Sequence, residues 1–103
     1  MRSKNTIIFD EIDVGISGSV AESIGQRLNL LSKAVQIIVI THQPQVAGKA
    51  DSHILVEKLQ GDDHTHVNAR ILQEEDKSLE LARMISGKTI TKAGIDAAKE
   101  LIT

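Results

Sequence analysis

The 103-residue chain contains no cysteine, no tryptophan and no tyrosine, and Phe9 is its only aromatic residue. Without cysteine, disulfides and cysteine-based zinc sites are excluded. With a single aromatic side chain, the chain lacks the stacking platform on which many proteins bind single-stranded nucleic acid. The hydrophobic core must therefore be built from Ile, Leu, Val and Ala side chains.

The chain also lacks an excess of positive charge. It has 12 Lys and Arg residues and 14 Asp and Glu residues, which give a net charge of -2. A domain that binds DNA unaided normally presents a cationic surface to the phosphates. We therefore expect that this segment is not a main DNA contact. No run approaches the roughly 20 apolar residues that a membrane-spanning helix needs, and residues 1–5 are not followed by the apolar core of a signal peptide. These features favour a cytoplasmic protein without membrane contact.

The pattern of apolar residues predicts an α/β fold in a single domain, residues 1–103. Residues 6–9 and 35–40 are predominantly apolar runs, typical of strands buried on both faces of a parallel sheet. Between them the apolar spacing is helical, with Ser19 as the predicted N-cap. The residues predicted to form the buried stripe of this helix are Val20, Ile24, Leu28 and Leu31. Such a strand–helix–strand unit crosses over right-handedly.

The sequence pattern in the second half of the chain predicts shorter elements. They are a helix over residues 45–49 preceded by Pro44, a hairpin of residues 53–58 and 67–72, a helix from Glu74 that Gly87 stops, and a last helix over residues 91–102. The predicted fold is thus a mainly parallel sheet with flanking helices and a small hairpin.

The strongest chemical signal is the acidic pair Asp10 and Glu11 at the end of the first strand. Ligands of open α/β sheets gather at the carboxyl ends of the strands. Carboxylate oxygens suit Mg²⁺, and a carboxylate can also act as a base toward water. Taken alone, the pair fits two solvated acids equally well. His42 follows Thr41 at the end of the second strand, and neighbouring parallel strands would bring its imidazole beside the pair.

Three segments in order resemble one family. Residues 7–11 (IIFDE) resemble the Walker B motif of ABC-type ATPases, and Thr41 with His42 resembles their switch histidine. Residues 10–18 (DEIDVGISG) and 39–47 (VITHQPQVA) are similar to the RecN family, relatives of the SMC chromosome-structure proteins. Residues 81–87 (LARMISG) resemble the C-terminal helix of that family, so the resemblance covers nearly the whole chain. It implies a partial P-loop nucleotidase domain of the ABC type.

The resemblance implies a role for each residue at the two strand ends. Asp10 would coordinate Mg²⁺ directly or through water, Glu11 would be the general base, and His42 would sense the γ-phosphate. The residues implied to form the D-loop, which crosses to the ATP site of a second head, include Asp13, Gly15, Ser17 and Gly18. The wider ABC pattern has an acid where Ser17 stands, so we expect a hydroxyl or backbone contact there.

No G-x-x-x-x-G-K-[ST] phosphate-binding loop occurs in the sequence. The resemblance therefore implies the C-terminal portion of an ATPase head without its Walker A half, with ATP and Mg²⁺ bound by the intact parent and neither by this chain alone. Expected partners are the missing N-terminal half, a second head in an ATP-dependent dimer, and DNA through the parent. That parent would act at the nucleoid in double-strand-break repair and recombination. An incompletely covered sheet is also expected to self-associate.

Other interpretations remain open. A receiver-like domain would use Asp10 and Glu11 to hold Mg²⁺ beside a phosphorylated Asp, although Thr41 and His42 stand where that acceptor belongs. A non-catalytic interaction module is the second alternative. His64 and His66 are spaced so that they could bind a transition metal beside Asp62 and Asp63. Such a segment is more commonly the polar tip of a hairpin. The remaining charged set, predicted to be a solvated helix face, is Lys77, Glu80 and Arg83.

Overall fold

A computed structural model of the chain describes residues 5–61, 63–87 and 89–102. Within these ranges the elements are β1 (Thr6–Asp10), α1 (Gly18–Leu31), β2 (Gln36–Ile40), α2 (Pro44–Ala47), β3 (Ile54–Gln60), β4 (Thr65–Ile71), α3 (Glu74–Ser86) and α4 (Lys92–Ile102). The predicted α/β class and the order of the elements are confirmed. None of these helices is long and apolar enough to span a membrane.

The first two strands form the predicted parallel pair. Thr6 lies opposite Gln36 and Asp10 lies opposite Ile40. The backbone N–H of Glu11 then donates to the carbonyl oxygen of Ile40 at 2.8 Å, which continues the ladder one residue past β1. Because α1 is the crossover between two parallel neighbours, the carboxyl ends of β1 and β2 lie side by side.

The predicted hairpin is confirmed as an antiparallel pair. Ile54 of β3 lies opposite Ile71 of β4, and the N–H of Gly61 donates to the carbonyl oxygen of His64 at 2.8 Å across the turn. Both strands extend closer to the turn than predicted, because antiparallel pairing continues until the chain reverses. The hairpin is a sheet of its own, so the parallel part of the described chain consists of β1 and β2.

The core lies between the last two helices. Leu81, Ala82 and Ala98 are fully buried there, and Ala47 of α2 is among the residues that pack against them. Gly87 ends α3 with a φ of 80°, a conformation that glycine adopts without the strain a side chain brings.

The start of α1 differs from the prediction. Ser17, and not Ser19, is the N-cap, and its hydroxyl accepts from the backbone N–H of Val20 at 3.5 Å. The helix begins at Gly18 because Ser17 has the extended backbone that an N-cap needs. The capping-box spacing alone did not distinguish the two serines.

The buried face of α1 also differs from the predicted stripe. Ala21 and Gly25 are its buried residues, whereas Val20 and Leu31 are exposed. A Cβ atom at Gly25 would lie 3.2 Å from the Cα atom of Val46 in α2. Because α2 approaches this closely, the contact face is centred on the smallest residues of the helix and not on its large apolar ones.

β1 and β2 have the pattern of strands buried on both faces, but in this chain the sheet is incompletely covered, as the sequence analysis expected. Ile8 is 62% exposed, and Ile38 and Ile40 are exposed too. These three residues share one face, because Ile8 lies opposite Ile38 and side chains alternate along a strand. Burial of that face requires a further layer of structure, and the described part of the chain does not place one there.

Candidate functional site at the carboxyl ends of the parallel strands

Glu11 is placed by an unusual backbone conformation. It follows β1 directly and has a φ of +52°, in the left-handed region that side chains disfavour. Such a conformation costs on the order of 1–3 kcal/mol and persists only where the surroundings fix it. The hydrogen bond from its N–H to Ile40 fixes it here. The chain therefore turns sharply where the Glu11 side chain leaves the sheet.

Glu11 and His42 are brought together. The Oε1 atom of Glu11 lies 2.8 Å from the Nε2 atom of His42. The Glu11 side chain is 42% exposed and the His42 side chain is 87% exposed. Exposed pairs of this kind contribute little to folding stability. The arrangement instead presents a carboxylate and an imidazole to solvent, where a bound molecule can reach both.

Asp10 is the last residue of β1 and is exposed at the same edge. Within residues 5–61, 63–87 and 89–102, no three His, Asp or Glu side chains gather closely enough to hold a metal ion by themselves. Mg²⁺ in nucleotide sites commonly takes one or two carboxylates, with water and phosphate oxygens completing its shell. The Asp10 carboxylate fits that requirement as a single oxygen ligand.

The loop after Glu11 is tied to the loop after β2. Asp13 is only 1% exposed, and its Oδ2 atom accepts a hydrogen bond from the Thr41 hydroxyl. Its backbone oxygen accepts from Nε2 of Gln43 at 3.0 Å. The family resemblance implies that Asp13 belongs to the D-loop, and these contacts were not predicted. Their positions in the sequence could have indicated the contact, because Asp13 and Thr41 closely follow the ends of two strands that pair.

The rest of the segment before α1 forms an exposed bend. Gly15 has a φ of +80°, and a Cβ atom there would meet nothing within 4 Å, so the glycine is needed for its backbone conformation and not for space. The Ser17 hydroxyl caps α1. A Cβ atom at Gly18 would lie 3.0 Å from Nε2 of Gln45 in α2. Gly15 and Ser17 are thus presented at the surface, while Gly18 packs against α2.

The charged set on α3 is not the solvated face that the sequence predicted. The Glu80 side chain is largely buried and binds Arg83, whose Nε lies 2.9 Å from Oε1 of Glu80. This carboxylate raises the pKa of Arg83. Lys77 is also covered, because its Nζ donates to the carbonyl oxygen of Asp51 at 2.9 Å. The loop around Asp51 lies over this part of α3, a tertiary contact that helical spacing does not reveal.

A cleft of about 340 Å³ lies beside this cluster, away from Glu11 and His42. Its lining includes Asn29, Asp51, His53 and Lys77. Burial lowers the pKa of His53, against the opposing influence of the Glu80 carboxylate. Its imidazole is therefore neutral near pH 7, as in a packed side chain. The side-chain nitrogen atoms of Asn29 and Lys77 donate hydrogen bonds to Asp51 in this loop.

The other candidate histidines lie at the hairpin tip. The rings of His64 and His66 are in edge-to-face contact, with centroids 4.4 Å apart. They belong to no metal-holding group of three in the described ranges. Asp62, which the sequence placed beside them, lies outside the described residues.

No protein-family model matches the chain. Among curated proteins, it is 63% identical to the DNA repair protein RecN of Rickettsia conorii over 99 residues, which are 96% of this chain and 18% of that protein. It is 40% identical to the DNA repair protein RecN of Bacillus subtilis over 97 residues, or 94% of this chain and 17% of that protein. The chain therefore spans less than a fifth of the length of these relatives.

The fold is also similar to a solved structure of an SMC ATPase, described for ATP-driven dimerization and DNA-stimulated activation. The TM-score is 0.58 at 21% sequence identity, over 82% of this chain and 49% of that one. At that identity the likeness concerns the fold alone. The matches to the curated sequences, at higher identity, are the basis for the family assignment. Over the aligned residues, this chain belongs to the RecN family and corresponds to a C-terminal part of its members.

Proposed function

We propose that this chain supplies the water-activating side of the ATP site in a RecN-type ATPase that acts in DNA repair. The observation that carries the proposal is the 2.8 Å contact between Glu11 and His42 at the ends of two adjacent parallel strands. A base and a second polar group that touch each other can act on the same small molecule. Both side chains are exposed, so a nucleotide bound at this edge can reach them.

Glu11 is the general base in this proposal. Its carboxylate accepts a proton from the water that attacks the terminal phosphate, which requires a hydrogen bond of about 2.6–3.2 Å to that water. His42, one hydrogen bond from Glu11, is placed to donate to the γ-phosphate or to orient the same water.

Asp10 holds the metal in this proposal. Magnesium bound there with the triphosphate would neutralise part of the phosphate charge. The exposed carboxylate of Asp10 stands one residue before Glu11, so the metal ligand and the base leave the same strand end. The turn at Glu11, with its positive φ, follows Asp10 directly.

The bend from Asp13 to Gly18, which is exposed at Val14, Gly15 and Ser17, is the surface that we assign to a second head. The SMC ATPase of similar fold is described for ATP-driven dimerization, and a comparable dimer here would place this bend at the partner's nucleotide. Gly15 and Ser17 are exposed, which supports a contact made by backbone atoms and a hydroxyl. DNA would be reached through the whole parent protein.

The test uses a chimera in which this chain replaces the aligned 99 residues of the Rickettsia conorii RecN. We expect the purified chimera to hydrolyse ATP in a Mg²⁺-dependent manner. We expect no hydrolysis from the 103-residue chain alone, because it contains no phosphate-binding loop whose amides could cradle the nucleotide. A folded chimera that binds ATP but does not hydrolyse it would contradict the proposed function. Robust hydrolysis by the isolated chain, abolished by Glu11→Gln, would contradict the second expectation.

A further inference from the structure

Asp13 is a buried carboxylate within a closed set of hydrogen bonds between two loops. Its side chain accepts from the Thr41 hydroxyl, and that same hydroxyl oxygen accepts from the backbone N–H of Gln43 at 2.9 Å. The Gln43 side chain returns to the backbone oxygen of Asp13 at 3.0 Å. Hydrogen bonds to an ionised carboxylate are roughly twice as strong as neutral ones. The two loops are therefore fixed to each other at this point.

His42 lies between the two residues that make these bonds, yet its own side chain is 87% exposed. An exposed imidazole is not held by packing, and a surface ion pair alone holds it weakly. Its position over Glu11 must then be set mainly by the backbone on either side, at Thr41 and Gln43. Both of those residues are bonded to Asp13.

We propose that Asp13 is a positioning residue that fixes the loop of His42 so that the imidazole stays in contact with Glu11. Asp13 also begins the bend that leads to Ser17, the cap of α1. A displacement of this bend, for example by a bound partner, would be transmitted through Thr41 to His42. The catalytic consequence of this inference rests on the proposed function, whereas the geometric part does not.

The geometric part is tested on the 103-residue chain by NMR, with the ring nitrogen shifts of His42 as a report of its hydrogen bond to Glu11. Asp13→Ala should move these shifts toward those of a free imidazole. Thr41→Val removes the hydroxyl that bonds both to Asp13 and to the backbone N–H of Gln43, and it should do the same. Asp13→Asn and Thr41→Ser keep an acceptor and a hydroxyl, so each should restore the shifts. Asp63→Ala and Thr65→Val, at the exposed hairpin tip, are the matched controls.

The catalytic part is tested in the chimera with the same variants. Misplacement of a catalytic group by about 1 Å can lower a rate by roughly 100-fold. We therefore expect Asp13→Ala and Thr41→Val to lower kcat by about 10- to 100-fold, with KM for ATP changed less than about twofold, since His42 acts on the reacting phosphate. Asp13→Asn should recover most of the rate.

Unchanged His42 shifts and an unchanged kcat in folded Asp13→Ala and Thr41→Val proteins would overturn the inference. Loss of stability with wild-type His42 shifts would also overturn it, because that result assigns Asp13 a structural role only. The two proposals fail separately. If Glu11→Gln leaves hydrolysis intact while Asp13→Ala moves the His42 shifts, the proposed function fails and the positional claim stands.

Discussion

We expect Glu11→Gln to lower the kcat of the chimera by about 1,000-fold, within the range that general bases contribute. Glutamine has nearly the same shape and can still accept a hydrogen bond from His42, but it cannot take a proton from water. ATP binding should survive, since the Asp10 carboxylate remains. Steady-state hydrolysis and equilibrium nucleotide binding, measured on the same preparation, separate the two effects.

The matched control is Glu75→Gln, on the exposed first turn of α3. It removes the same charge from the chain at a position remote from the two strand ends, and we expect wild-type hydrolysis. A Glu11→Gln chimera that keeps more than about a tenth of the wild-type kcat would contradict a general-base role, because a base contributes at least about 100-fold.

Replacing Leu81 with Ala should have the largest effect on stability. Leu81 is 1% exposed and belongs to the core between α3 and α4. Removing a buried leucine side chain typically costs about 2–5 kcal/mol. Domains are stable by only about 5–15 kcal/mol in total, and small ones lie at the low end. We therefore expect a large decrease in the free energy of unfolding, measured by denaturant titration with circular dichroism.

Leu30→Ala is the matched control for that experiment. Leu30 lies on α1 and is 62% exposed, so the same substitution there removes little buried surface. We expect a change of less than about 0.5 kcal/mol, as for most surface positions. Equal losses from the two variants would mean that the core is not centred on α3 and α4.

The arrangement of the site was predictable because few topologies fit two apolar strands joined by one helix. Parallel neighbours place their carboxyl ends at one edge. The proximity of Glu11 and His42 could therefore be predicted from the sequence. The contact between them was the expected consequence of that topology. The positive φ of Glu11 has no signature in the order of the residues alone.

Burial was much harder to predict than topology. A run such as residues 6–9 is typical of a strand covered on both faces, yet Ile8 is exposed because coverage depends on other layers. Glu80 was expected in solvent and is buried, since a charged residue can be covered where Arg83 pairs with it. The contact of Asp13 with Thr41 joins residues 28 positions apart, a distance at which local patterns carry no information.

A double-mutant cycle on kcat of the chimera, with Glu11→Gln and His42→Ala, tests most directly whether the two side chains act on the same reacting group. Residues that act as one unit have strongly non-additive effects. The double variant should then be no more than about twofold slower than Glu11→Gln alone. If the loss in the double variant instead equals the product of the two single losses, the two residues act independently, which would contradict a shared role of Glu11 and His42 at one reacting group.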